Sequence, residues 1–164
     1  MVVLLHNIRS AHNVGSIFRT ADAVGIEKIY CCGITPAPLD RFGRFRKDFA
    51  KVALGAEKIV PWESCASTAL LLGLLKRSGY TIFAVEQASG SISVLRFGLE
   101  TFWRPNLELI ALVFGDEVKV LSSPILNLAD RILEIPMFGK KESLNVSVAF
   151  GIVPYHLKVK SESK

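Results

Sequence analysis

The sequence has little cysteine, little charge and no long apolar run, and each shortage removes a class of protein. Three cysteines, Cys31, Cys32 and Cys65, are too few and too oddly placed for a disulfide framework, and the adjacent pair has no zinc-ligand spacing. They read as small buried hydrophobes on a strand, in a chain kept reduced. The longest greasy stretch, Ala69 to Leu75, falls far short of the roughly 20 residues that span a bilayer. Met1 to Leu5 is apolar but brief, and no basic residues precede it as they would in a secretory signal. The expectation is a soluble, cytoplasmic protein with no membrane partner. Charged residues make up 21% of the chain and apolar ones 50%, the reverse of a disordered composition.

Familiar catalytic signatures are missing too. No G-x-G-x-x-G follows the first apolar run, and there is no P-loop and no G-x-S-x-G. His6, His12 and His156 are scattered, so no metal site is expected. A nucleotide-binding fold without its usual phosphate loop must hold a ligand in another way.

What is present fits one domain. The chain has 164 residues, enough for a single substantial core. A net charge of +5 is a mild bias toward a polyanionic partner. Val2 to Leu5 reads as a buried strand. Asn13 is placed to cap a helix with apolar residues at Val14, Ile17, Phe18, Ala21 and Val24, closed by Gly25. Ile29 to Cys32 is a second strand, which makes a βαβ start. Ile59 and Val60 suggest a short strand before Pro61. Ser64 to Ser78 reads as a helix capped by Ser64. Thr81 to Val85 and Leu107 to Phe114 read as strands, Ser122 to Ala129 as a helix, and Arg131 to Ile135 as the last strand. From Ser143 to Tyr155 the pattern fits both an alternating strand and a helix capped by Ser143 with Leu144, Val148 and Ile152 on one face.

Three clusters put polar residues where a core has no use for them. The first is Asn7, Arg9, Asn13, Gly15 and Arg19; Arg19 lies about 140° around its helix from Val14, as any solvated surface arginine would. The second, Phe114-Gly115-Asp116-Glu117, follows a buried strand, where parallel sheets bind ligands and where simple turns also occur. The third joins Pro136-Met137-Phe138-Gly139 to Ser143-Leu144-Asn145, a loop able to offer backbone groups to a ligand or only to lead into the next element. Between the first two runs a basic stretch holding Arg41, Arg44, Arg46, Lys47 and Lys51. Its Phe42, Phe45 and Phe49 have the spacing of one apolar helical face, with base stacking as the other use.

Taken in order, the clusters resemble the three motifs of the SpoU/TrmH class of SPOUT RNA methyltransferases. Residues 7–21, 112–117 and 135–155 carry the resemblance, which covers nearly the whole chain. It implies an α/β domain over residues 1–157, a mostly parallel sheet flanked by helices with a C-terminal trefoil knot, and a polar tail over 158–164. Knots are rare exceptions among folds. The resemblance also implies that the segment after Ser143 is helical.

By position, Gly115, Glu117, Ile135, Met137, Leu144 and Asn145 would line an S-adenosylmethionine pocket. Asn13, Arg19, Glu117, Ser143 and Asn145 would form the polar catalytic set of a ribose 2′-O-methyltransferase, and the active unit would be a homodimer. Arg19 is the residue the family credits with activating the ribose hydroxyl. A guanidinium holds its proton strongly, so the other role open to Arg19 is to stabilise the developing alkoxide or grip a phosphate. The RNA contacts fall to Arg9, Arg41, Arg44, Arg46 and Lys47, with tRNA favoured over rRNA because the first motif starts almost at residue 1. Two departures stand in the second motif, where Asp116 replaces asparagine and Val120 replaces a glycine. Asp116 sets a negative charge near the cofactor's sulfonium. Val120 suggests an alternative, a silent RNA-binding relative with weakened cofactor binding. An unrelated nucleotide-using α/β enzyme is the other rival.

Overall fold

The computed structural model describes residues 1–97, 106–116 and 120–162. In chain order it holds β1 (Val2–His6), α1 (Ala11–Val24), β2 (Lys28–Cys32), α2 (Lys47–Ala53), β3 (Trp62–Cys65), α3 (Thr68–Arg77), β4 (Thr81–Val85), β5 (Ile92–Ser93), β6 (Ile110–Phe114), α4 (Ser123–Leu126), β7 (Arg131–Glu134) and α5 (Val146–Glu162). The strands form one seven-stranded sheet in the order β3-β2-β1-β6-β4-β7-β5, and every pairing is parallel.

The apolar runs explain the middle of that order. β1 and β6 are covered on both faces, so they have no use for a polar alternation. Their side chains still sort by the two-residue period of a strand. Val3, Leu5, Leu112 and Phe114 face a layer holding α1, α2 and α5, while Val2, Leu4, Ala111 and Val113 face α3 and α4. Phe18, Phe49, Phe83, Phe114 and Phe150 are fully buried in the first layer. Each such ring contributes about 1.5–3 kcal/mol relative to an exposed one.

Several local expectations shift. Ser10, not Asn13, caps α1, its Oγ accepting from the Asn13 N–H at 3.2 Å. Gly25 does end that helix, in the left-handed region at φ 75° where glycine has no steric penalty. Ile59 and Val60 do not form a strand; they follow a 3₁₀ turn over Ala56–Lys58, and the strand comes after Pro61. Ser64 lies inside that strand, in register with Cys31, so the cap of α3 passes to Ser67. Ladder pairing to β2 outweighs the capping preference of Ser64. The segment from Leu107 begins with a 3₁₀ turn, and its strand starts at Ile110. α4 ends at Leu126, short of Ala129, and β7 ends at Glu134.

The ambiguous last segment is helix. α5 starts at Val146, and its N-cap is Asn145 rather than Ser143: the Asn145 side chain accepts from the Ser147 N–H at 2.9 Å. The helix continues through residues 158–162.

Candidate active site at the carboxyl edge of the sheet

A parallel sheet gathers the C-terminal ends of its strands on one edge. There β4, β6 and β7 open into a cleft of about 120 Å³ that faces solvent. Gly115 and Asp116 enter it from the end of β6, Ile135 and Met137 from the end of β7, and Ser143 and Leu144 from the approach to α5. Five of the residues expected from the motifs are therefore together: Gly115, Ile135, Met137, Ser143 and Leu144. Glu117 lies outside the described residues.

Gly115 is needed for space. A Cβ there would stand 2.9 Å from Cδ2 of Leu121, a buried side chain held behind the cleft. Glu86, just past β4, lines the cleft beside Gly115. Its Oε2 accepts from the Leu121 N–H at 3.1 Å and its Oε1 from the Gln87 N–H at 2.9 Å, which ties the segment after residue 120 to β4. Glu134, at the end of β7, lines the same cleft and accepts from Ser91 Oγ at 2.6 Å. The motif comparison missed Glu86, Gln87 and Glu134. The rule that ligands meet parallel strands at their C-terminal ends would have found them from the strand assignments alone.

Three carboxylates, Glu86, Asp116 and Glu134, thus border a cleft of mixed polarity that holds no cationic side chain among the described residues, a field that suits a cationic ligand. The charge of Asp116 is partly met from outside, since Arg9 Nε lies 3.5 Å from its Oδ2. Arg9, assigned to RNA, is mostly exposed and also leans on the cleft wall. Val120 is 65% exposed, directed to solvent rather than into the cleft.

The first motif builds the neighbouring wall. Asn7 takes a left-handed conformation at φ 57°, which asparagine tolerates better than most residues. Its Oδ1 accepts from the Ile34 N–H at 3.1 Å, and its Nδ2 lies 3.0 Å from His6 Nε2. His6 Nδ1 lies 2.7 Å from Thr68 Oγ1. Burial lowers the His6 pKa from its ordinary value, which favours the neutral ring able to accept from Asn7. Thr35 closes the turn, donating to Leu5 O at 2.7 Å and accepting from the Ile8 N–H at 3.0 Å.

Asn13 and Asn145 meet across the two helices. Asn145 Nδ2 donates to Asn13 Oδ1 at 3.2 Å, while Asn145 Oδ1 accepts from the backbone and hydroxyl of Ser147. Asn145 thereby fastens the start of α5 to α1 beside the cleft. Arg19 stands apart: it is exposed on α1 and does not line the cleft of its own chain. Arg41, Arg44 and Lys47 are exposed and Arg46 is half-buried, on a segment that follows β2 at the same sheet edge.

With this geometry in place, likeness to known proteins decides the family. The model of the SpoU rRNA Methylase family matches residues 1–155. The chain belongs to the SpoU family. A tRNA (guanosine(18)-2′-O)-methyltransferase of Aquifex aeolicus is 30% identical over 164 residues, 100% of this chain and 71% of that protein. The 23S rRNA (guanosine-2′-O-)-methyltransferase RlmB of Neisseria meningitidis is 31% identical over 154 residues, 93% of this chain but only 56% of RlmB. Among solved structures, the SpoU methyltransferase AviRb of Streptomyces viridochromogenes, crystallised with AdoMet, superposes with a TM-score of 0.80 at 23% identity. That match covers 100% of this chain and 61% of AviRb. The last likeness establishes the fold. The chain spans 71% of the length of the Aquifex protein and just over half that of RlmB.

Proposed function

We propose that this SpoU-family chain transfers a methyl group from S-adenosylmethionine to a ribose 2′-hydroxyl of RNA, acting as a homodimer. The observation that carries the reading is the cleft itself. The third-motif loop and the glycine of the second converge where the sheet opens, and a side chain at Gly115 would invade Leu121. These residues fit the cofactor: Ile135, Met137 and Leu144 supply apolar walls, and the nearby carboxylates suit a sulfonium. When bound, the cofactor supplies an electrophilic methyl group. The protein's share is to orient the ribose and to stabilise negative charge on its oxygen. Arg19 does the second by meeting the alkoxide as it develops. Against the silent alternative, Val120 is exposed and is not a wall of the cleft, and Asp116 has Arg9 beside it.

The dimer is argued from α5. Val146, Phe150, Val153 and Leu157 are buried on one face. Val148, Tyr155 and Val159 are exposed on a second stripe about 160–180° away. A helix apolar on opposite faces, with one left bare, calls for a partner. A second copy of the chain is the partner that also explains Arg19, by presenting it to a cleft that its own chain's Arg19 does not line. The trefoil threading of the family belongs to the same reading, with α5 returning to pack on α1. As substrate, tRNA is preferred over rRNA, in line with the Aquifex relative that matches the full length of the chain.

The test is chemical. The protein is incubated with methyl-labelled cofactor and RNA, and the product is hydrolysed with alkali. A methylated 2′-oxygen cannot attack its phosphodiester, so the label is expected in alkali-resistant dinucleotides. Label released in mononucleotides places the methyl on a base and overturns the ribose assignment.

A further inference from the structure

The phenylalanines of the basic stretch were expected on one helical face. Only Phe49 is buried, on α2, where it packs edge-on against Phe18 at 5.1 Å. Phe42 lies before the helix at the tip of a small hairpin and is 65% exposed. A large ring so placed contributes nothing to the core.

The hairpin that carries it is tightly built. Leu39 and Phe45 form an antiparallel bridge. Asp40 Oδ1 accepts from the N–H groups of Phe42 (2.8 Å) and Arg44 (3.0 Å), and Asp40 Oδ2 accepts from the Arg44 guanidinium at 3.2 and 3.3 Å. These bonds, that from the Arg44 N–H foremost, hold the Asp40 carboxyl below its ordinary pKa, so the clamp stays charged at neutral pH. Gly43 makes the turn at φ 74°. The base of the hairpin runs into α2, which packs so closely on α1 that a Cβ at Gly15 would stand 3.0 Å from the Phe49 carbonyl.

Two guanidinium groups attend the ring, Arg41 at 4.7 Å from its centroid and Arg44 at 5.0 Å. They are not equivalent. Arg44 is fixed to Asp40, whereas Arg41 has no carboxylate partner among the described residues. Arg41 can therefore leave the ring for a nearby anion while Phe42 keeps its position.

We propose that Phe42 is a stacking platform for one unpaired nucleobase of the RNA, with Arg41 moving from the ring to the phosphate beside that base. The proposal rests on the RNA reading above and adds where an unpaired segment docks. An aromatic ring flanked by arginine on a rigid turn meets both parts of a nucleotide, the π-face of the base and the charge of its phosphate. An acidic protein surface would use the arginines but has no comparable need for a bare ring.

The test uses fluorescence anisotropy of the full chain with a labelled, unpaired oligoribonucleotide of about 12 residues, and with its abasic counterpart. Phe42→Ala is expected to weaken binding of the first by about 10-fold and to leave the abasic chain unchanged, while Phe42→Tyr retains native affinity. Arg41→Ala should reduce the magnitude of the slope of log K against log salt by about 0.7 for both. Because Phe42 is exposed, its variants fold as the native chain does, which a thermal melt checks. Unchanged affinity in Phe42→Ala overturns the platform and leaves the RNA reading standing. Equal losses for both oligomers point to a general anion surface and also overturn it. If the native chain binds neither oligomer and methylates no RNA, platform and RNA reading fall together.

Discussion

Arg19→Ala is expected to lower methyl transfer by about 10²–10³-fold in kcat, with cofactor affinity unchanged within about twofold. The separation follows from position. Arg19 is exposed on α1 and is not a wall of the cleft in its own chain, so its removal leaves the cofactor contacts intact. What is lost is the positive charge that meets the ribose oxygen as it becomes an alkoxide. Arg19→Lys should recover only part of the rate, since an ammonium lacks the planar fork that holds oxygen and phosphate together. The stronger form of the test is complementation. Gly115→Val drives a side chain into Leu121 and displaces the cleft wall that Leu121 supports, so neither variant works alone. Co-expressed, half of the dimers pair one chain of each kind, and each such dimer has one complete site. Activity should return to about a quarter of the native value, the statistical share for a two-fold dimer. No recovery contradicts a site shared between subunits.

Val148→Asp with Tyr155→Asp should turn the dimer into a monomer at micromolar concentration and reduce methyl transfer by about 10²-fold, the loss expected for Arg19 itself. Both residues belong to the bare stripe of α5, opposite the face that packs on the core. Burying a carboxylate against its own symmetry mate is costly, so association is lost. Their side chains are half-exposed in the single chain, so its folding should change by no more than about 1 kcal/mol. Sedimentation velocity reads the first effect and thermal unfolding the control. A dimer that survives both substitutions would place the interface elsewhere and leave Arg19 without its partner cleft.

How much of this the sequence carried depended on whether an interaction was local. β1, β4 and β6 were legible because a strand buried on both faces is written as a continuous apolar run. Gly25 announced the end of α1. The caps were harder. Asn13 has the right residue type to cap α1, but it is engaged with Asn145, a contact across 132 residues. Ser64 was lost to β3 because strand pairing with Cys31 is not local. The last segment was undecidable by period, since Val148 served both patterns; the two apolar faces of α5, one buried and one exposed, show why. One face packs on α1, and the other is apolar as well.

In the site, the motif resemblance located Gly115, Ile135, Met137, Ser143 and Leu144, which the structure brings to one cleft. It did not locate Glu86 or Glu134. These stand at or just past the carboxyl ends of β4 and β7, where the strand-end rule and not the motifs points to them. Nor did spacing foresee Phe42, because an i, i+3, i+7 pattern assumes a helix that the Asp40 turn interrupts.

The central claim is that the cleft at the carboxyl edge of the sheet holds S-adenosylmethionine. Calorimetric titration of the native chain and of Gly115→Val tests it most directly, before any RNA is chosen. The account predicts micromolar affinity for the native chain, about 8 kcal/mol, weakened by more than about 10-fold in the variant. No binding to a folded native chain, or equal binding to both proteins, would contradict it.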